Sequence, residues 1–531
     1  MKLLNRIANL ADKIGGLTGR AGFFRDAIIL FLLIILGAIL RFHHIGLRPF
    51  WLDEANSVNM VYSGWGELYQ EIILTGNSFA YIYILKAWAL FFGDSETALR
   101  SLSVIAGLAS IPVIYFLARR LFDNSAALWA AFLLSVNYYA VFYSIQARPY
   151  SLIILISIIS CYYYVKLLEP SRPASGLDVS LYIIFTALNL YLHPWCFLLL
   201  AAQGIYLFFS RPLKVRIFIF QSIILVLAIP WLKILYFLTS RHYSSFIESP
   251  SFPPAETLNI FMYGSQYIFL AFSLVAAGQY FFQKISEKDE DRIAFKEKPF
   301  SNFNPNNFFA LALLAVPLVL AYLVDLFVPF YQAGRYEAPA LAGFILVIAS
   351  AWSSYKNKIA ALALCLVLFF FSLAAVKEEG LALKELDSND RSVALELIEK
   401  INSGDIVIFT GLSRPSLDYY LDKFRGEKKF SRASFPAELE IHPAFVNEAD
   451  LTADISGLEA ELSGLAGNIE ASGAKNIWVV YSGGKTGILL ADRLSKEFSA
   501  GEEITASGEN PEAGFYSSNL HFFSILSFKI E

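Results

Sequence analysis

The chain is 531 residues long with a formal net charge of −4; 56% of its residues are hydrophobic and only 17% charged. A water-soluble protein carries about 45–50% apolar and about 25% charged residues, so this composition excludes an ordinary soluble protein and calls for several membrane crossings. The near-neutral charge gives no sign of nucleic-acid binding, and Cys161, Cys196 and Cys365 all lie in apolar runs that hold no disulfide framework.

Residues 1–26 carry Lys2, Arg6, Lys13, Arg20 and Arg25 ahead of the first apolar run. No small-residue cleavage site follows that run, so it reads as a retained first span with a cytoplasmic segment before it. The stretch Arg48-Pro-Phe-Trp51-Leu-Asp53-Glu54-Ala-Asn-Ser57 follows, with two adjacent carboxylates just past the span. Taken alone, such a pair is either a solvated loop or a catalytic centre. It opens a first outer loop over 46–96.

The apolar segment Phe79–Phe92 carries Lys86 and is short for a crossing, which suits a helix along the membrane interface. Spans are expected near 27–45, 97–118, 126–145, 149–168, 178–193, 194–210, 215–238, 258–282, 307–329, 337–353 and 358–376, about 11 in all. Arg119, Arg120, Arg172, Arg211, Lys214, Arg216, the group Lys284–Lys298, Lys356 and Lys358 then fall on the cytoplasmic side. Counting Phe79–Phe92 as a span would put those loops outside, so the charge rule supports the interfacial reading. Asp53 and the C-terminal domain are thereby placed on the outer face.

The same topology collects the polar residues that look out of place in apolar surroundings. Tyr143, Gln146, Arg148 and Tyr150, then His193, then Tyr331, Arg335, Tyr336 and Glu337 all land at outer span ends. Each has a plain reading: span-end arginines anchor in lipid headgroups, and His193 before Pro194 suits a helix end. Asp325 is taken as structural. The coincidence of carboxylate, arginines and imidazole on one face points to an anionic, phosphorylated ligand.

Residues 377–531 read as a soluble α/β domain. Strands are expected at 404–410, 474–482 and the closing Leu520–Ile530 run, with helices at 414–424 and 487–499. The stretch 433–473 reads as a helix and loops. Tyr481-Ser-Gly-Gly-Lys485-Thr-Gly487 lacks the spacing of a nucleotide phosphate loop.

Five segments, in order, resemble the GT-C superfamily of multispanning glycosyltransferases, in the branch of protein O-mannosyltransferase and lipid A aminoarabinose transferase relatives. They are FWLDEANS at 50–57, LFFGDSETALRSLSVIAGLASIPVIYFLARRLF at 90–122, YYAVFYSIQARPYSLIILI at 138–156, YLHPWCFLLLAAQGIYLF at 191–208 and GRYEAPALAG at 334–343. The resemblance implies a polytopic helical membrane protein of the plasma membrane, with the C-terminal α/β domain outside. It would be a hexosyl- or pentosyltransferase using a polyprenyl-phosphate-linked sugar and a lipid, glycan or protein acceptor.

By that resemblance Asp53 is the base that activates an acceptor hydroxyl or amine, and Arg148 and Arg335 contact the donor phosphate. Glu54, Tyr81, His193 and Tyr336 are expected to bind substrate, and a divalent cation at Asp53 or Glu54 is an open reading. The chain departs from the family at Asn77-Ser-Phe-Ala-Tyr81, where His-Pro-Pro-Leu-Tyr is usual, and at Gln146, where Glu is common. A transporter or flippase for lipid-linked glycans is the alternative. It is disfavoured because the two halves show no repeat and the polar residues gather at one surface.

Overall fold

The computed structural model describes residues 18–43, 45–169, 175–209, 215–241, 253–262, 304–326, 335–353, 390–410, 414–437, 454–481, 484–506 and 523–530, with single positions at 367, 370 and 374. The expected spans at 358–376 and beyond 262 in 258–282, most of the N-terminal segment, the Lys284–Lys298 loop, Tyr331 and Cys365 lie outside the described residues.

The first part of the chain is helical: α1 (Thr18–Phe42), α2 (Leu52–Asn59), α3 (Trp65–Thr75), α4 (Phe79–Phe92), α5 (Glu96–Leu121), α6 (Asn124–Val136), α7 (Tyr138–Ser144) and α8 (Tyr150–Leu168). It continues with α9 (Gly176–Leu192), α10 (Cys196–Phe209), α11 (Val215–Leu227), α12 (Ile229–Arg241), α13 (Pro253–Phe261), α14 (Pro305–Asp325), a 3₁₀ turn (Ala338–Ala340) and α15 (Leu341–Ser353). Among the described residues α5, α8 and α14 are long and apolar enough to cross a membrane, and the bent pairs α6–α7 and α11–α12 raise that to five. Helices α4, α9, α10 and the segment Ala338–Ser353 are apolar but shorter. Apolar helices in this number make the chain a multi-pass membrane protein.

Two expected straight spans are broken. Helices α6 and α7 meet at 53° and α11 and α12 at 50°. Asn137 makes the first break, its Oδ1 accepting Ala140 N–H and its Nδ2 donating to Phe261 O. A break frees carbonyls that water cannot reach, and they need another donor. Fully buried Arg41 supplies it, donating to Leu134 O at 3.2 Å, Ser135 O at 2.9 Å and Ser144 Oγ at 3.1 Å.

Close helix contact depends on small residues. A Cβ on Gly343 of α15 would fall 2.4 Å from Leu314 N and 2.6 Å from Leu313 C, both backbone atoms of α14. Gly343→Ala is therefore expected to lower stability by about 1–3 kcal/mol. Gly66→Ala, on α3 with nothing near its Cβ, should be neutral or slightly stabilising. Thermal unfolding of the two variants in detergent checks the contrast.

The C-terminal part forms an α/β unit: α16 (Asp390–Lys400), β1 (Ile406–Thr410), α17 (Arg414–Phe424), β2 (Ser431–Phe435), α18 (Ile455–Ala471), β3 (Asn476–Tyr481), α19 (Gly484–Glu497), β4 (Ser499–Ala506) and β5 (Phe523–Lys529). Its sheet runs β2-β1-β3-β5-β4, with β1 parallel to β2 and β3, and β5 antiparallel to β3 and β4. Strands β1, β3 and β5 fall where the sequence places them. The sequence reading lacks β2 and β4, and both are edge strands. Helix α17 reaches out of this unit and packs on α2.

Candidate active site

The site grows from α2. Trp51 is its N-cap, so Asp53 and Glu54 stand in the first turn, where negative charge suits the exposed N–H groups. Successive helical residues diverge by about 100°, and these two carboxylates accordingly meet different cations.

Glu54 turns inward. Its Oε1 accepts Arg100 Nε at 2.8 Å and its Oε2 accepts Arg100 Nη2 at 2.7 Å, with the side chains 0% and 1% exposed. Ala147 N–H donates to the same Oε1 at 2.7 Å, and Trp51 N–H reaches Oε2 at 3.4 Å. The rest of the Arg100 guanidinium donates to Ile45 O, Arg48 O and Pro49 O at 2.7–2.9 Å. This fork ties the first loop to α5 and to the segment before Arg148. Glu54 was expected among the substrate contacts; its oxygens are instead spent within the protein.

Asp53 faces the other way and is partly exposed. Its Oδ2 lies 3.1 Å from Arg335 Nη1 and 3.6 Å from Arg148 Nη2, with all three side chains 15–20% exposed. Arg148 Nη1 also donates to Asp53 O and Ser57 Oγ, each at 2.9 Å, and to Asn77 Oδ1 at 3.4 Å. Burial opposes the Arg148 charge, but the Asp53 carboxylate overrides it and holds that guanidinium above its ordinary range. Arg335 stands over the Trp51 ring at 5.3 Å. Residues 282 positions apart are thus brought together on one carboxylate.

Aromatic rings complete the wall. His193 caps the end of α9, its Nδ1 accepting Trp195 N–H at 3.3 Å. Its ring lies 5.4 Å from Tyr336 and 6.3 Å from Tyr150, and Trp195 stacks on Tyr336 at 5.1 Å. Burial pushes the Tyr336 phenol up. Tyr81 of α4 is fully buried, within the fields of Arg148 and Glu54. Gln146 is 1% exposed, and its amide has no hydrogen-bond partner among the described residues.

A divalent cation does not fit this donor set. Glu54 is saturated by Arg100 and an amide, Asp53 already meets two guanidinium groups, and no cluster of three His, Cys, Asp or Glu stands among the described residues. Sequence reasoning missed Arg100, Ser57 and Asn77 as site-building residues. Arg100 had one signal: it is a cation one turn after Glu96 in the otherwise uncharged, leucine- and serine-rich start of α5.

The family model described as dolichyl-phosphate-mannose-protein mannosyltransferase matches residues 77–234, which include Tyr81, Arg100, Arg148 and His193. No curated protein matches the chain in sequence. Among solved structures, ArnT from Cupriavidus metallidurans is similar in its apo state, with a TM-score of 0.59 and 12% identity over 96% of this chain and 98% of that one. The same protein bound to undecaprenyl phosphate gives 0.58 and 11% over 94% and 97%. The arabinofuranosyltransferase AftD from Mycobacteria gives 0.55 and 13%, covering 95% of this chain and 40% of that one. Identities this low establish the fold.

Proposed function

From the premise that the chain has the fold of GT-C membrane glycosyltransferases, we propose that it transfers a sugar from a polyprenyl-phosphate donor to an acceptor hydroxyl or amine. The observation that carries this reading is the Asp53 carboxylate set between Arg148 and Arg335, partly open to solvent beside an aromatic wall. A base and two fixed cations at one point are what direct displacement at an anomeric carbon requires. The ligand named in the ArnT structure, undecaprenyl phosphate, is of the donor class proposed here.

Chemically, the acceptor oxygen or nitrogen forms a bond to the anomeric carbon as the bond from that carbon to the phosphate oxygen breaks. Asp53 takes the acceptor proton, and polyprenyl phosphate leaves with its negative charge. Arg148 and Arg335 bind the phosphate oxygens through planar forks whose charge does not depend on pH. In the donor complex the phosphate shares these arginines with Asp53, freeing one carboxylate oxygen for the acceptor. Tyr336, His193 and Trp195 offer rings against which a sugar can stack. Glu54 and Tyr81 act from beneath, Glu54 by fixing the Ala147–Arg148 segment. The site and the α/β unit are placed on the outer side of the membrane, as the distribution of lysine and arginine implies.

The test is sugar transfer by protein in nanodiscs, offered a panel of radiolabelled polyprenyl-phosphate sugars and total membrane acceptors. Arg335→Lys and Arg148→Lys keep the charge and lose the fork. Each is expected to raise the donor KM by about 10–100-fold, the worth of one charge-assisted hydrogen bond at about 1.5–3 kcal/mol. Unchanged KM values would take the donor phosphate away from these arginines. No transfer from any donor would refute the reading itself.

A further inference from the structure

Building on the reading of Asp53 as base, we infer that helix α17 of the C-terminal unit is a positioning element of the active site, with Tyr420 as its pin. Tyr420 lies 370 residues from Phe50, yet Phe50 N–H donates to Tyr420 Oη at 2.7 Å. Phe50 directly precedes Trp51, the N-cap of the helix that carries Asp53. The hydroxyl proton of Tyr420 goes to Glu96 Oε1 at 3.2 Å, so its lone pair is aimed at the Phe50 amide. Arg391 of α16 fixes the same Glu96 oxygen at 2.7 Å.

The contact is repeated along α2. Tyr419 packs edge-on against Phe50 at 4.9 Å, and its hydroxyl donates to Asp94 O at 2.9 Å. At the other end, Asn59 Nδ2 donates to Pro415 O at 2.8 Å. Helix α17 thus holds α2 just before its first residue and at its last. Phe50, Tyr419 and Tyr420 are 0–1% exposed, so water does not compete for these bonds.

This arrangement matters because α2 has only 8 residues. An isolated helix shorter than about 12–15 residues is marginal in water, so outside contacts set where α2 sits. On the bundle side they come from Arg100, which grips Glu54 and lies 5.0 Å from the Phe50 ring. On the opposite side of the sequence they come from α17. Arg148 and Arg335 belong to other elements, but Arg148 also donates to Asp53 O and Ser57 Oγ of α2, so it is tied in part to the helix that α17 holds. Loosening α17 therefore displaces the base directly and reaches Arg148 only through its bonds to α2.

The experiment uses the full chain in nanodiscs with Tyr420→Phe and, as control, Asp422→Asn. Asp422 lies on the same helix, is half exposed and pairs with Arg432 of β2. Tyr420→Phe is expected to lower kcat by about 10–100-fold, as small misplacements of reacting groups do, with the donor KM changing by a smaller factor. Asp422→Asn should keep wild-type kcat. Hydrogen exchange at the Phe50 amide should quicken at least about tenfold in Tyr420→Phe and stay unchanged in the control. A kcat within twofold of wild type, or unchanged Phe50 exchange, would overturn the inference. Wild-type protein that transfers no sugar would sink the glycosyltransferase reading instead, and the exchange result would still decide whether α17 holds α2.

Discussion

Asp53→Asn is expected to lower sugar transfer by about 10²–10⁴-fold, the usual worth of a positioned general base. The substitution is nearly isosteric, so the packing of α2 and the Glu54–Arg100 pair should survive. Asparagine Oδ1 can still accept from Arg335 Nη1, which now stands 3.1 Å from the carboxylate. What it cannot do is take a proton from an attacking hydroxyl or amine. Binding of polyprenyl phosphate should persist, since Arg148 and Arg335 keep their charges and lose a competing anion. The check is single-turnover transfer beside direct titration with polyprenyl phosphate. Transfer within about threefold of wild type would remove Asp53 from the base role. Loss of binding together with loss of transfer would make it a scaffold for the arginines.

The sequence showed this site more clearly than it showed the bundle around it, and the reason is physical. Charged groups at a membrane surface are costly unless used, so Asp53, Arg148, His193 and Arg335 stood out against apolar surroundings. Apolar runs carry no such contrast. The breaks at Asn137 and Ala228 sit inside runs that read as single spans, because a broken helix and a straight one bury the same residue types. Strands β2 and β4 were hidden for a related reason. Ser431–Phe435 carries the pattern of an edge, polar at its start and buried only at Ser434 and Phe435, and Ser499–Ala506 includes two glutamates. The roles of adjacent Asp53 and Glu54 could not be divided from composition at all. That division rests on helical geometry and on Arg100, which is 46 residues away.

Removing Arg100 is the perturbation expected to cost the protein most. Arg100→Leu leaves the Glu54 carboxylate buried beside only two amides, Ala147 N–H and Trp51 N–H. Breaking a buried pair by deleting one partner costs about 3–5 kcal/mol, much of it for the orphaned charge. Three loop carbonyls, at Ile45, Arg48 and Pro49, lose their donor at the same time. Glu54→Gln should be milder. The Arg100 charge then keeps those carbonyls and the Phe50 ring, and a glutamine oxygen can still accept from it. The two substitutions are therefore expected to be unequal, with Arg100→Leu the worse. The double variant should cost less than the sum of the singles, because the second change removes the charge that the first stranded. Thermal and denaturant unfolding in detergent would show the asymmetry. Equal losses, or single losses under about 1 kcal/mol, would mean that the pair is solvated and does not lock the first loop to α5.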